Sequence, residues 1–206
     1  MVNLFNNFPQ GEFDHHVVCL QGHSHFVERI RPGRVTFHDV KKRPGKDPAH
    51  YFRLWRMLRT LRPDVLHTRN LSALEAVIIG WLAGVPARVH GEHGRDVFDL
   101  DGSNSRYNRL RRLVKPFVHR YLTVSRDLQS WLSLTVGVEP ARIRQIYNGV
   151  DKQRFHPRTD ARRELLPEHF PGNCFVVGSV GRMAGVKDYP TLVRAFIEAV
   201  RQPGGE

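Results

Sequence analysis

The sequence predicts a parallel, doubly wound α/β sheet. Short β-rich runs alternate with segments of helical period through most of the chain, as a succession of strand–helix–strand units requires. The strand segments are continuous in their apolar character, which suits strands covered on both faces. The composition, 40% hydrophobic and 25% charged over 206 residues, is that of a globular protein.

The chain opens on "MVNLFNNFP", helix-like from its first residue. Strands are expected in "HHVVCL" (His15–Leu20), "RVTFHDV" (Arg34–Val40), "DVLHT" (Asp64–Thr68), "ARVHGEH" (Ala87–His93) and "RYLTVS" (Arg120–Ser125). Between them, "YFRLWRMLRTL" places Tyr51, Leu54, Trp55, Leu58 and Leu61 on one helical face. "SALEAVIIGWLAG" is apolar nearly all round and stops at Gly84, just before Pro86. "SRYNRLRRLVKPFV" and "RDLQSWLSLT" complete the helices, with Ser125 placed to cap the last.

After "RIRQIYNGV" (Arg142–Val150) periodicity fades into a charged, proline-containing stretch whose only helical pattern is "ARRELL". We therefore expect an N-terminal Rossmann-like domain over 1–150, a linker over 151–172, and the start of a second Rossmann-like domain over 173–206. That second domain would open with a strand from Cys174 and one helix, too little to bury a core of its own. The first strand of the N-terminal domain is also missing from the pattern, so a chain cut at both ends is expected.

No apolar run approaches the roughly 18 to 20 residues a membrane span needs, and the N-terminus lacks the basic and apolar regions of a secretory signal. Cys19 and Cys174 stand far apart in apolar runs. They read as small buried hydrophobes of a reducing compartment, giving a cytoplasmic expectation. Lys and Arg number 32 against 20 Asp and Glu, a net charge of +12. That excess favours anionic partners: nucleic acid, phosphorylated substrates or an acidic membrane leaflet.

The richest stretch is "CFVVGSVGRMAGVKDYPTLVRAF" (Cys174–Phe196). It matches neither G-x-G-x-x-G nor G-x-x-x-x-G-K-[ST], because Gly178 and Gly181 are three apart and Val186 separates Gly185 from Lys187. Its glycines still let backbone approach a ligand. Asp188 and Pro190 suit an N-cap and an early helix position, and free N–H groups at a helix start favour anions. Arg182 adds a planar two-pronged donor and Lys187 a compact charge. The group suits a diphosphate; an ordinary loop with solvated basic residues remains the alternative.

The same stretch resembles the segment that opens the C-terminal domain of the retaining glycosyltransferases of family 4, which have the GT-B fold. "IYNGVDKQRFHP" (Ile146–Pro157) is similar to that family's Asn-Gly-Val-Asp segment at the end of the N-terminal domain, and "LTVSRDLQSWL" to its strand–Ser–helix unit. With "HGEHGRDVFDLDGSN", the run looks closest to sugar transferases of exopolysaccharide and exosortase clusters. The resemblance implies that Gly181, Arg182 and Lys187 meet the diphosphate of a nucleotide-sugar donor. It implies that Asn148, Gly149 and Asp151 form part of an interdomain hinge. The family's paired donor-binding glutamates would follow Glu206, and its glycine-rich loop would precede Met1. Transfer by the chain alone is then not expected.

"VHGEHGRD" ends a predicted strand, where open α/β sheets gather ligands. The family has a histidine here, near the donor sugar. His93, followed by Gly94 and Asp96, fits better than His90, which falls inside the strand. His93 would hydrogen-bond a sugar hydroxyl or help manage the acceptor proton; a purely structural histidine is the alternative. No metal or other cofactor is expected. "HGEH" is not H-E-x-x-H, and a strand end does not give helical i, i+4 geometry.

Two helices carry basic runs: Arg53, Arg56 and Arg59 on one, and Arg106, Arg109, Arg111, Arg112 and Lys115 on the other. Such faces can lie on an acidic membrane surface, or simply be solvated. The function expected is transfer of a sugar from a nucleotide-diphosphate donor to a saccharide or lipid-linked acceptor in polysaccharide synthesis, peripheral to the inner membrane face. The competing reading is a basic nucleic-acid- or membrane-binding module without catalysis. No helix-turn-helix, zinc, RRM or KH signature supports nucleic acid, so none is expected as a partner.

Overall fold

The structure is a computed structural model that describes residues 1–9, 11–95, 98–158 and 175–202. The chain divides into two compact units, Met1–Asn148 and Gly149–Glu206. In the first unit the elements run α1 (Val2–Asn7), β1 (His16–Cys19), β2 (Thr36–Asp39), α2 (Ala49–Leu61), β3 (Val65–Arg69) and α3 (Ala76–Leu82). Then come β4 (Ala87–Glu92), α4 (Ser105–Val114), β5 (Arg120–Thr123), α5 (Arg126–Trp131) and β6 (Ile143–Gln145). Every expected strand and helix of this unit forms, within a few residues of the expected bounds.

All strand pairs are parallel. β3, β4, β5 and β6 lie side by side in chain order, while β1 pairs only with β2. The sheet is thus in two pieces, and among the described residues one edge of β1 and one edge of β3 lack a ladder partner. The pieces share packing instead. Val18 and Leu20 from the β1 region and Leu66 of β3 contact one cluster built on Val40, Leu54, Leu58, Ala83 and Val85.

A larger core lies under α4 and α5, where Val77, Val114, Val118, Leu132, Val136 and Val138 are all essentially inaccessible. Burying an aliphatic side chain of this size stabilises the fold by about 1.5–3 kcal/mol. Local signals set the helix ends. Gly84 takes φ +81 after α3, where a residue with a Cβ would be strained. Ser125 Oγ accepts the Leu128 N–H at 3.1 Å, capping α5 as its position suggests. Beyond Trp131 the helix widens into a π turn, Leu132–Val136, closed by Gly137 at φ +78.

β6 was not expected as a strand. "RIRQ" alternates charge with a single aliphatic, and only pairing of Ile143 with Tyr121 makes it one. The expected strand at Cys174 is corrected the other way. Cys174 lies outside the described residues, and Phe175–Val180 carry no sheet pairing. A strand needs a neighbour for its N–H and C=O groups, and none is offered among the described residues, where Phe175 is 85% exposed. The "ARRELL" helix also lies outside the described residues. α6 (Tyr189–Arg201) does form, with its apolar residues Leu192, Val193, Phe196, Ile197 and Val200 all partly exposed.

The basic runs are corrected too. Arg111 is buried, Arg112 donates to the Thr135 carbonyl, and Lys115 to that of Gly137 at 2.9 Å. Arg112 and Lys115 close the end of the π turn, where orphan carbonyls face them. Arg53 pairs with Asp47 and donates to the Val40 carbonyl. Arg56, Arg59, Arg106 and Arg109 remain exposed, and Arg112 is exposed too, although its guanidinium is held by the Thr135 carbonyl. No described helix is long and apolar enough to cross a membrane.

Candidate active site

β3 and β4 pair with His67 opposite Val89, Thr68 opposite His90, and Arg69 opposite Gly91. Side chains alternate along a strand, so this register sorts the polar residues onto two faces. Thr68, His90 and Glu92 fall on one; His67, Arg69 and Gly91 fall on the other. The spacing of "HGEH" hides this split, because its two histidines serve different surroundings.

The first face is a buried network. His90 is fully inaccessible, and its Nδ1 lies 2.7 Å from Thr68 Oγ1. Glu92 Oε1 accepts from Arg111 Nε at 2.8 Å, with His90 Nε2 a long contact at 3.5 Å. Burial by itself would push the Glu92 carboxyl up, but the His90 ring and the Arg111 guanidinium hold it below its usual range. Arg111 also stacks over the Trp131 ring at 4.7 Å. Trp131 Nε1 and Asn108 Nδ2 both donate to the Gly102 carbonyl, at 2.9 and 2.8 Å. The loop between β4 and α4 is therefore pinned at its far side. Asn104 caps α4 by accepting from Arg106 and Tyr107 N–H groups, and Arg95 pairs with Asp127 at 2.9 Å. Asp96 lies outside the described residues.

The second face gathers His67, Arg69 and His93 over Gly91. A Cβ on Gly91 would stand 2.6 Å from His93 Nε2 and 3.0 Å from His67 Nε2, so only glycine leaves both ring tips in place. Arg69 Nη2 donates to His93 Nδ1 at 3.0 Å. Asn70 holds the backbone beneath: its Oδ1 accepts the His93 N–H at 2.8 Å, and its own N–H donates to the Gly91 carbonyl at 2.8 Å. Asn70 takes φ +56 with ψ 175 to do so, a strained backbone outside the left-handed helical well that asparagine usually adopts. Desolvation, then the Arg69 cation, lowers the pKa of both His93 and His67; His67 falls to about 4 although part of its surface stays exposed.

His93 therefore sits at the strand end with partners that its own motif does not reveal. Sequence reasoning missed His67, Arg69 and Asn70. The signal was present in "HTRN", a polar run closing an apolar strand, the same feature that singled out His93.

In the second unit, Arg182 and Lys187 are both exposed. The loop does fold back on itself: a Cβ on Gly181 would meet Tyr189 Oη at 2.7 Å and Lys187 Cδ at 3.8 Å. Lys187 closes a short 3-10 turn, Gly185–Lys187. Asp188 does not cap α6 with its side chain, contrary to expectation. It stands at φ +47, a left-handed conformation unlike the extended one a capping side chain uses. Pro190 does occupy the first turn of α6. Of the hinge candidates, Asn148 and Gly149 flank the boundary between the units. Asp151 Oδ1 accepts from the Gln153 and Arg154 N–H groups, at 3.0 and 3.2 Å, forming a tight turn.

Residues 1–154 match the model of Glycosyltransferase Family 4. The chain belongs to that family. The family-4 chain is similar to the UDP-Gal:alpha-D-GlcNAc-diphosphoundecaprenol alpha-1,3-galactosyltransferase of Escherichia coli, 24% identical over 191 residues. The match covers 87% of this chain and 48% of the relative. Among solved structures it is similar to Anabaena Alr3699/HepE in complex with UDP-glucose, with TM-score 0.63 and 19% identity, over 91% of this chain and 50% of that one. The UDP complex of HepE gives TM-score 0.58 at 19% identity, over 82% and 45%. The family-4 chain thus spans about half the length of the relatives it matches. It shares their mixed α/β fold with parallel sheets, of the GT-B type.

Proposed function

We propose that the protein transfers a sugar, with retained configuration, from a nucleotide-diphosphate-sugar donor to a saccharide or lipid-linked acceptor in polysaccharide synthesis. The observation that carries this reading is the meeting of His67, Arg69 and His93 over Gly91 at the ends of β3 and β4, in a chain of family 4. Open α/β sheets bind ligands at that end. A sugar needs a few well-placed polar groups there, and two neutral imidazoles beside one guanidinium supply them.

In this mechanism Arg182 and Lys187 hold the donor diphosphate and stabilise the charge that builds on it as the sugar leaves. Two fixed cations meet that charge, so the reading calls for no metal. His93 stands beside the reacting sugar, and Asn148, Gly149 and Asp151 belong to the hinge. The alpha-D-GlcNAc-diphosphoundecaprenol in the name of the Escherichia coli relative, a lipid-linked saccharide, favours an acceptor of that class. Such an acceptor places the enzyme in the cytoplasm at the inner membrane face. α2 supplies the surface for this, with Arg56 and Arg59 exposed and Phe52 63% exposed on the same helix.

The test is titration of the whole protein with several UDP- and GDP-sugars, in the wild type and in R182A, K187A and the control R109A. Donor affinity should fall with the first two and hold with the third. Equal losses in all three would defeat the diphosphate assignment. Sedimentation with acidic and neutral liposomes tests the membrane part; equal retention would count against it.

A further inference from the structure

The bond between Arg69 and His93 has a consequence for what His93 can do. A guanidinium has five N–H donors, no acceptor, and keeps its proton throughout the working pH range. With Arg69 Nη2 at 3.0 Å, His93 Nδ1 must therefore be the acceptor. A neutral imidazole that accepts at Nδ1 carries its hydrogen on Nε2. A second proton would need Nδ1 to donate toward a cation, which the same contact opposes.

His93 Nε2 is buried and has no hydrogen-bond partner among the described residues. It is enclosed by Gly91, whose missing Cβ leaves it room, and by the neighbouring His67 ring, 6.5 Å away between centroids. A buried N–H without an acceptor carries an uncompensated desolvation cost. An oxygen entering this niche would remove that cost. Asn70 fixes the His93 backbone from the same side, so the ring is held at both its main chain and its Nδ1.

We propose that Arg69 is a positioning residue that fixes His93 as the Nε2–H tautomer, making His93 a hydrogen-bond donor to an oxygen of the donor sugar and not a base for the acceptor proton. The tautomer stands on the geometry alone; the sugar oxygen as recipient rests on the proposed function. A base at Nε2 would need the lone pair that this arrangement replaces with a hydrogen. Of the two roles open to His93 from the sequence, the structure assigns the first.

The experiment is two-bond 1H–15N correlation of the histidine rings in the whole protein, for the wild type, R69M and R69Q, across a pH series. The wild type should show His93 neutral with its hydrogen on Nε2. R69M should lose that fixed pattern and raise the His93 titration midpoint, since a nearby cation has gone. R69Q restores an N–H donor without the charge, so the tautomer should return while the midpoint stays raised. His90, held by Thr68 on the other face, should keep its pattern in all three and reports on the fold. A wild-type His93 protonated on Nδ1, or an R69M spectrum with His93 unchanged, overturns the proposal. If R69M loses the His90 pattern as well, the wild-type spectrum and R69Q decide. Addition of UDP-glucose separates the two levels: the expected tautomer with no shift at His93 on saturation keeps the positioning role and defeats the sugar contact.

Discussion

The Glu92 carboxylate and the Arg111 guanidinium meet at 2.8 Å with side chains only 1% and 4% exposed. The pair joins the last residue of β4 to the middle of α4, directly behind the strand end that carries His93. Removing one partner leaves a buried charge uncompensated, which typically costs 3–5 kcal/mol. R111M should therefore lower stability by about that amount. E92Q, which keeps an acceptor oxygen, should cost less. Urea denaturation of both variants checks the order; a milder loss for R111M than for E92Q contradicts it.

Acid should weaken the first unit through His67. Its folded pKa is about 4 against an ordinary 6.5, so the unfolded chain takes up the proton first as pH falls. Stability from this group is fully present above about 6.5 and is lost progressively down toward about 4. H67Q should flatten the pH dependence of the melting temperature in that window. An unchanged slope would mean that other groups govern it.

Gly91→Ala should disturb the site more than the fold. The three atoms nearest the new Cβ all belong to the His93 and His67 rings, so the rings can swing away, at the cost of the Arg69–His93 bond. The melting temperature should move little, while His93 loses its tautomer signature and donor affinity falls. A variant with unaltered His93 signals would show that the rings tolerate a methyl group there.

Gly181→Val tests the second loop. With Tyr189 Oη 2.7 Å from the added Cβ and the Lys187 stem at 3.8 Å, a branched side chain should displace both. Donor affinity should drop about as far as in K187A, by calorimetric titration. No change would separate Gly181 from the diphosphate assignment.

Local patterning carried much of this protein into view. The helix faces, the Gly84 stop, the Ser125 cap and five parallel strands are written in neighbouring residues, because burial period and capping chemistry act within a few positions. The position of His93 directly after a strand was legible as well. β6 was not, since its pairing with β5 and not its composition makes it a strand, and the segment after Cys174 failed for the converse reason. The partners of His93 depended on register. Only when Arg69 falls opposite Gly91 does a guanidinium come within reach of an imidazole 24 residues away, and only then do His90 and His93 part to opposite faces. The sequence by itself determined the helices and the first five strands of the first unit, and that a polar, histidine-bearing run closes β4. The tertiary structure decided which nitrogen of His93 carries the hydrogen, because that depends on a charge brought close by strand pairing, which no local pattern encodes.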